Sequence, residues 1–271
     1  MPEIEALRER FFAYVDSFYT ENEADNRAIQ LKREHTRRVC RNARMLANKL
    51  EISEKDAALA EIMALLHDIG RFRQYRQYRS FRDADTENHA VLGVREIQSH
   101  AMVDGLSAED SALVLEAVRL HNVFAIPAEI GKRQRFFLEL LRDADKLDIW
   151  KVFGEYYEHR EAPETESVAL GLPDSPGCSK AALDAVVEGR LVRVESLRNL
   201  NDFKLLQVSW VYDLNFAPSV CAMLEKGHLD RLRTFLPDTP EIREAFDRVF
   251  LYAEAASAKN SAGDRLGHKR R

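Results

Sequence analysis

The chain has 271 residues, of which 45% are hydrophobic and 31% charged, with only 11 Gly and 8 Pro; this is the balance of a globular protein with a sizeable core, not of a fibrous or low-complexity one. A net charge of -5 removes any general attraction to nucleic acid or an anionic membrane, and no apolar run approaches the length needed to span a bilayer. Cys40, Cys178 and Cys221 form neither a disulfide framework nor a zinc knuckle, and the acidic start Met1-Pro2-Glu3 lacks the order of a signal peptide, so a cytoplasmic location is expected.

Hydrophobic periodicity is helical nearly throughout and nowhere alternates as a strand should, which predicts an all-α fold. Ile4, Leu7, Phe11, Tyr14, Val15 and Phe18 form the apolar stripe of a helix over 3–20. In a long helix over 26–50, Ile29, His35, Val39 and Leu46 fall close to one face. The next helix, 55–69, runs into His67 and Asp68, and Gly70 reads as its stop; Arg71 to Asp85 then reads as an Arg/Tyr-rich loop. Asp85 or Thr86 is expected to cap a helix over 86–101, with Glu87 in its first turn and His89 on the face of Gly93 and Ile97. Asp104-Gly105 marks a turn, after which Ser107 caps a helix over 108–121 that places Val114, Val118 and His121 together. A helix over 133–160 carries Leu138, Leu141 and Asp145 along one side.

The expected organisation is an N-terminal helix (1–25) packed on a core of 26–160, a Pro/Gly-rich excursion over 161–179, and further helices of the same domain over 180–256. Phe203, Leu206, Trp210, Phe246, Phe250 and Tyr252 are core candidates in that last part, and a basic tail over 257–271 is expected to be disordered.

Six residues stand on the inward faces of successive helices: His35, His67, Asp68, His89, His121 and Asp145. A single histidine on an apolar face is most simply a core residue with its hydrogen bonds satisfied. Four histidines and two aspartates on five consecutive helices are explained together by metal coordination, since imidazole and carboxylate suit several transition metals. His100, His159, His228 and His268 lie outside this order and are assigned to structure, as are Trp150 and Trp210.

The order His…His-Asp…His…His…Asp resembles the HD superfamily of metal-dependent phosphohydrolases. The resemblance rests on Glu34-His35, Leu66-His67-Asp68-Ile69-Gly70, Asn88-His89-Ala90-Val91-Leu92-Gly93, Leu120-His121-Asn122 and Asp143-Ala144-Asp145-Lys146-Leu147-Asp148, over roughly residues 28–150. It implies one helical bundle with additional C-terminal helices. It also implies a divalent metal cofactor, with His35, His67, Asp68 and Asp145 holding one ion, Asp68 bridging to a second, and His89 and His121 completing that second site. Iron or manganese is the first expectation; zinc, nickel, cobalt and magnesium are compatible. A single ion with spare histidines is the competing arrangement. Asp143 rivals Asp145; Asp145 is preferred because it precedes a basic residue and a leucine as in the family's pattern, which leaves Asp143, like Asn122, to orient a ligand.

The implied activity is hydrolysis of a phosphomonoester or phosphodiester, a small molecule and most plausibly a nucleotide, with Asp68, Arg71 and Lys146 as the catalytic side chains. No Glu follows the His-Asp pair, which departs from single-metal members that use one for proton transfer. Arg71 stands where cyclic-dinucleotide phosphodiesterases carry Lys, and there is no Gly-Tyr-Pro, which argues against that branch. Arg71, Arg73, Arg76, Arg79 and Arg82 alternate with aromatic residues; most read as a solvated face, while Arg71, Arg76 and Arg79, with Lys146, are candidates to grip substrate phosphate. The net acidic charge argues against nucleic acid as the partner. The same ligand order also resembles the di-iron oxygenases of the superfamily, and a binding or regulatory protein retaining the fold is the third reading.

Overall fold

The computed structural model describes residues 2–158 and 171–258. His159, His268, most of the expected excursion and the basic tail from 259 onwards lie outside the described residues. Within them the regular elements are helical, and the chain divides into two compact units, Met1–Asp148 and Ile149–Arg271. No helix among the described residues is long and apolar enough to cross a membrane.

The first unit holds α1 (Pro2–Asp16), α2 (Glu23–Lys49), α3 (Glu54–Leu66), α4 (Ile69–Tyr78), α5 (His89–Ser99), α6 (Ala108–Leu120) and most of α7 (Lys132–Glu158). Its centre is α3, buried at every residue from Ala57 to Leu66. Its sequence there is apolar on all sides apart from Glu61, and a helix of that kind has no solvent face to offer. Glu61 is matched by ion pairs to Arg8 of α1 and Arg44 of α2. Ser53 begins α3 by accepting from the Asp56 amide, and Ser107 begins α6 in the same way through Asp110, as the sequence predicts for Ser107. Phe11 and Phe18 enclose Phe72 of α4, with ring centroids 6.0 and 6.1 Å apart; full burial of a phenylalanine contributes about 1.5–3 kcal/mol.

Three local expectations need correction. Helix α3 ends at Leu66, before His67, and Gly70 lies in the first turn of α4. Its role is close approach: a Cβ there would overlap the His89 carbonyl oxygen and sit 2.5 Å from the Gly93 nitrogen. The stretch after Arg71 is helical as far as Tyr78; in ten residues Ile69, Phe72 and Gln74 are the buried side chains besides Gly70, too short a stripe to show as periodicity. Finally, Asn88, not Asp85 or Thr86, caps α5, accepting from the amides of Ala90 and Val91.

The second unit contains the end of α7, then α8 (Lys180–Val187), α9 (Leu200–Ser209), α10 (Ala217–Glu225), α11 (His228–Thr234) and α12 (Pro240–Ser257). It too is built on one enclosed helix, α9, buried from Leu200 to Ser209. Trp150 donates its indole N–H to the Gln207 carbonyl at 3.0 Å and stacks against His228. Phe203, Leu206 and Phe246 are core residues as expected, whereas Trp210, Phe250 and Tyr252 are partly exposed.

Candidate metal centre

His67 and Asp68 are the two-residue link between α3 and α4, so the chain turns where both side chains are needed. His67 follows the last residue of α3, and its Nδ1 donates to the Ala64 carbonyl at 2.8 Å, one of the carbonyls a helix end leaves without a partner. His121 repeats this at the end of α6, donating from Nδ1 to the Val118 carbonyl at 2.7 Å. The other two rings are held by carboxylates outside their own helices. His35, inside α2, places Nδ1 2.7 Å from Asp148 Oδ2 of α7; His89, first residue of α5, places Nδ1 2.6 Å from Asp83 Oδ2.

Each imidazole therefore has its outward nitrogen hydrogen-bonded, which places an N–H on Nδ1 and leaves Nε2 facing inward to hold a proton or a metal. The four Nε2 atoms form two pairs, His35 and His67 at 3.3 Å and His89 and His121 at 3.0 Å. Asp145 Oδ1 joins the first pair, 3.2 Å from His35 Nε2 and 3.7 Å from His67 Nε2. Asp68 lies between the pairs and divides its carboxylate: Oδ2 is 3.5 and 3.7 Å from His35 and His67, and Oδ1 is 3.3 and 3.9 Å from His89 and His121. All six residues expected to hold metal are thus brought together in two groups, His35/His67/Asp145 and Asp68/His89/His121.

This donor set fits cations and little else. Lone pairs facing each other at 3.0–3.3 Å repel unless a proton or a metal stands between them, and the nitrogens near the buried Asp145 Oδ1 are those of His35 and His67, at 3.2 and 3.7 Å. Burial disfavours a charged His35, but Asp145 and Asp148 outweigh it and raise the ring to about 9. His121 has no such support: burial, with His89 and His67 nearby, lowers it to about 3. Burial likewise lowers His67 and His89. Asp68 is held well below the usual carboxylate range because Lys32, His67, Arg71 and His89 together overcome the cost of its burial. Asp145 is also lowered, chiefly by the His35 hydrogen bond acting against burial.

The remaining expected residues are placed unevenly. Arg71 Nε is 3.5 Å from Asp68 Oδ1, while its Nη1 is engaged by Gln74 Oε1, the Phe81 carbonyl and Asp83 Oδ1 at 2.5–2.9 Å. Asn122 is exposed and donates to Asp83 Oδ2 at 3.2 Å. Asp143 and Lys146 are buried on α7. Arg79 is exposed and ion-paired with Asp25, and Arg76 is exposed; no hydrogen bond or ion pair among the described residues joins either to the six ligands. Asp83, Asp148, Gln74 and Lys32 belong to the site without having been singled out in the sequence. Lys32 offered the clearest signal, standing one helical turn before His35 on the same face.

A family model for the HD domain matches residues 33–169, about half the chain and the whole span of the ligands. No curated protein and no solved structure matches.

Proposed function

The chain belongs to the HD-domain superfamily, and from its paired ligand clusters we propose that it is a metal-dependent phosphohydrolase that cleaves a phosphomonoester or phosphodiester of a small molecule, a nucleotide by preference. The observation that carries this reading is the position of Asp68, one carboxylate shared between two groups of imidazoles. Two divalent cations held there, iron or manganese first among the candidates, would bring the pKa of a bridging water towards neutrality and draw charge from a phosphoryl group. The protein's own part is to keep four Nε2 atoms aimed inward through the anchors on Nδ1, and to keep Asp68 and Asp145 ionised. Arg71 ties Asp68 to Asp83 and so fixes the shared carboxylate beside His89. The three cysteines, none of them in a disulfide, support a reducing cytoplasm.

The test is metal analysis of protein purified without added metal, followed by turnover on a panel of phosphoesters with and without oxygen. Two equivalents of metal and oxygen-independent release of phosphate or of a phosphomonoester are expected. The variants His67→Ala and Asp68→Ala should lose both metal and turnover. Wild-type turnover in a variant lacking both side chains would overturn the assignment, and oxygen consumption by the iron-loaded protein without phosphoester cleavage would replace it with oxygenase chemistry.

A further inference from the structure

We propose that Lys32 is the substrate's phosphate anchor, held on Asp68 until an anion arrives; the inference rests on the phosphohydrolase reading and specifies how that site takes its substrate. Lys32 lies on α2 one turn before His35, and its Nζ is 2.9 Å from Asp68 Oδ2, the oxygen that faces His35 and His67. Its side chain is 19% exposed, and its hydrogen bond to the shared carboxylate is partly buried. The Phe81 ring lies beside it, 5.5 Å from Nζ to the ring centroid, and limits where the long side chain can swing.

The other cations near the centre are placed for different tasks. Arg71 has Nη1 bonded to oxygens of Gln74, Phe81 and Asp83, Arg79 is ion-paired with Asp25, and Arg76 is exposed. Lys146 is buried on α7. Among these, Lys32 is the one whose partly exposed side chain hydrogen-bonds an oxygen of the shared carboxylate.

The charge balance supplies the reason for a transfer. Asp68, Asp145, Asp83 and Asp148 contribute four negative charges against the positive charges of Lys32, Arg71 and Arg38. Two divalent cations would leave the centre strongly positive, with Asp68 drawn between them. An ammonium in that field is better placed on an incoming phosphate oxygen than on a carboxylate already committed, and a charge-assisted hydrogen bond to phosphate is worth about tenfold or more in affinity. Lys32 therefore exchanges one anion for another, and no covalent change or proton transfer is involved.

The experiment compares wild type, Lys32→Gln and Lys32→Arg, each loaded with manganese, in three measurements. These are metal stoichiometry, binding of inorganic phosphate by calorimetry, and steady-state kinetics on p-nitrophenyl phosphate and bis-p-nitrophenyl phosphate. Lys32→Gln should keep its metal, bind phosphate about tenfold more weakly or worse, and lose kcat/KM mainly through KM, with Lys32→Arg recovering part of both. Phosphate affinity in Lys32→Gln within threefold of wild type overturns the proposal. So does loss of metal in parallel with phosphate affinity, which would make Lys32 a support for Asp68, and so does a metal-loaded wild type that binds no phosphate. If neither ester is cleaved while phosphate binding still depends on Lys32, the anchor stands and the hydrolase reading fails.

Discussion

At the scale of single residues, the second nitrogen of each histidine decides what the first can do. His67 and His121 take their anchors from carbonyls three residues earlier in their own helices, so their roles are legible from a histidine that follows an apolar helical run. The anchors of His35 and His89 are different in kind. Asp148 is 113 positions from His35, and Asp83 sits in a polar stretch with no periodicity, so local pattern had nothing to say about either. Asp83→Asn is expected to lower cation affinity at His89 and His121 by about ten- to a hundredfold, leaving His35, His67 and Asp145 loaded; competition with a chelating dye would show one weakened site beside one intact site. The raised pKa of His35 sets a pH dependence. Below about 9 the ring carries a proton on Nε2 that a cation must displace, so affinity there should rise with pH by up to about tenfold per unit and level off above that value. Loading in weakly buffered neutral solution should release at least one proton per protein, and release of none would show that His35 is not protonated there before the metal binds.

Among the elements, the meeting of α4 and α5 governs the site most directly. Gly70 and Gly93 let the two backbones touch, and His89 sits at the point of contact. Gly70 was visible in the sequence, but its purpose was not: a glycine after a helical run reads as a stop, and only the packing shows that the next helix has already begun. Gly70→Ala should cost about 3 kcal/mol or more and displace His89, which urea denaturation and loss of one metal equivalent would reveal. Gly93→Ala is the control. Its Cβ would meet the Gly70 nitrogen and Val118 Cγ1 at 3.4 Å, so a change within about 1 kcal/mol is expected. Helix α3 was the easiest element to read, since a run that is apolar on all sides can only be internal. Helix α4 was the hardest, because Ile69, Phe72 and Gln74 are its buried side chains and three positions are too few to set a period.

For the molecule as a whole, the six candidate ligands come from α2, the α3–α4 link, α5, the end of α6, and α7, spanning positions 35 to 145. Metal bound at such a site staples segments that are far apart in the chain, and it binds the folded state alone. At a free concentration a hundred times the dissociation constant this stabilises folding by about 2.7 kcal/mol, so a chelator should lower the melting temperature and speed hydrogen exchange in α2, α3, α5 and α6. An unchanged melting temperature would mean that the folded state binds no metal at that concentration. The helical class and the order of the ligands were legible because both are written as spacing along the chain. The division into two units was not, because the boundary falls inside α7, where the sequence offers no break. The shared carboxylate has a last consequence. The first group adds Asp145 to its part of Asp68, whereas the second has only its part of Asp68. Occupancy should therefore be sequential, with a tenacious resident ion and an exchangeable one, and a two-step binding isotherm would show it. Loss of the exchangeable ion on dilution or mild chelation should then leave one equivalent bound.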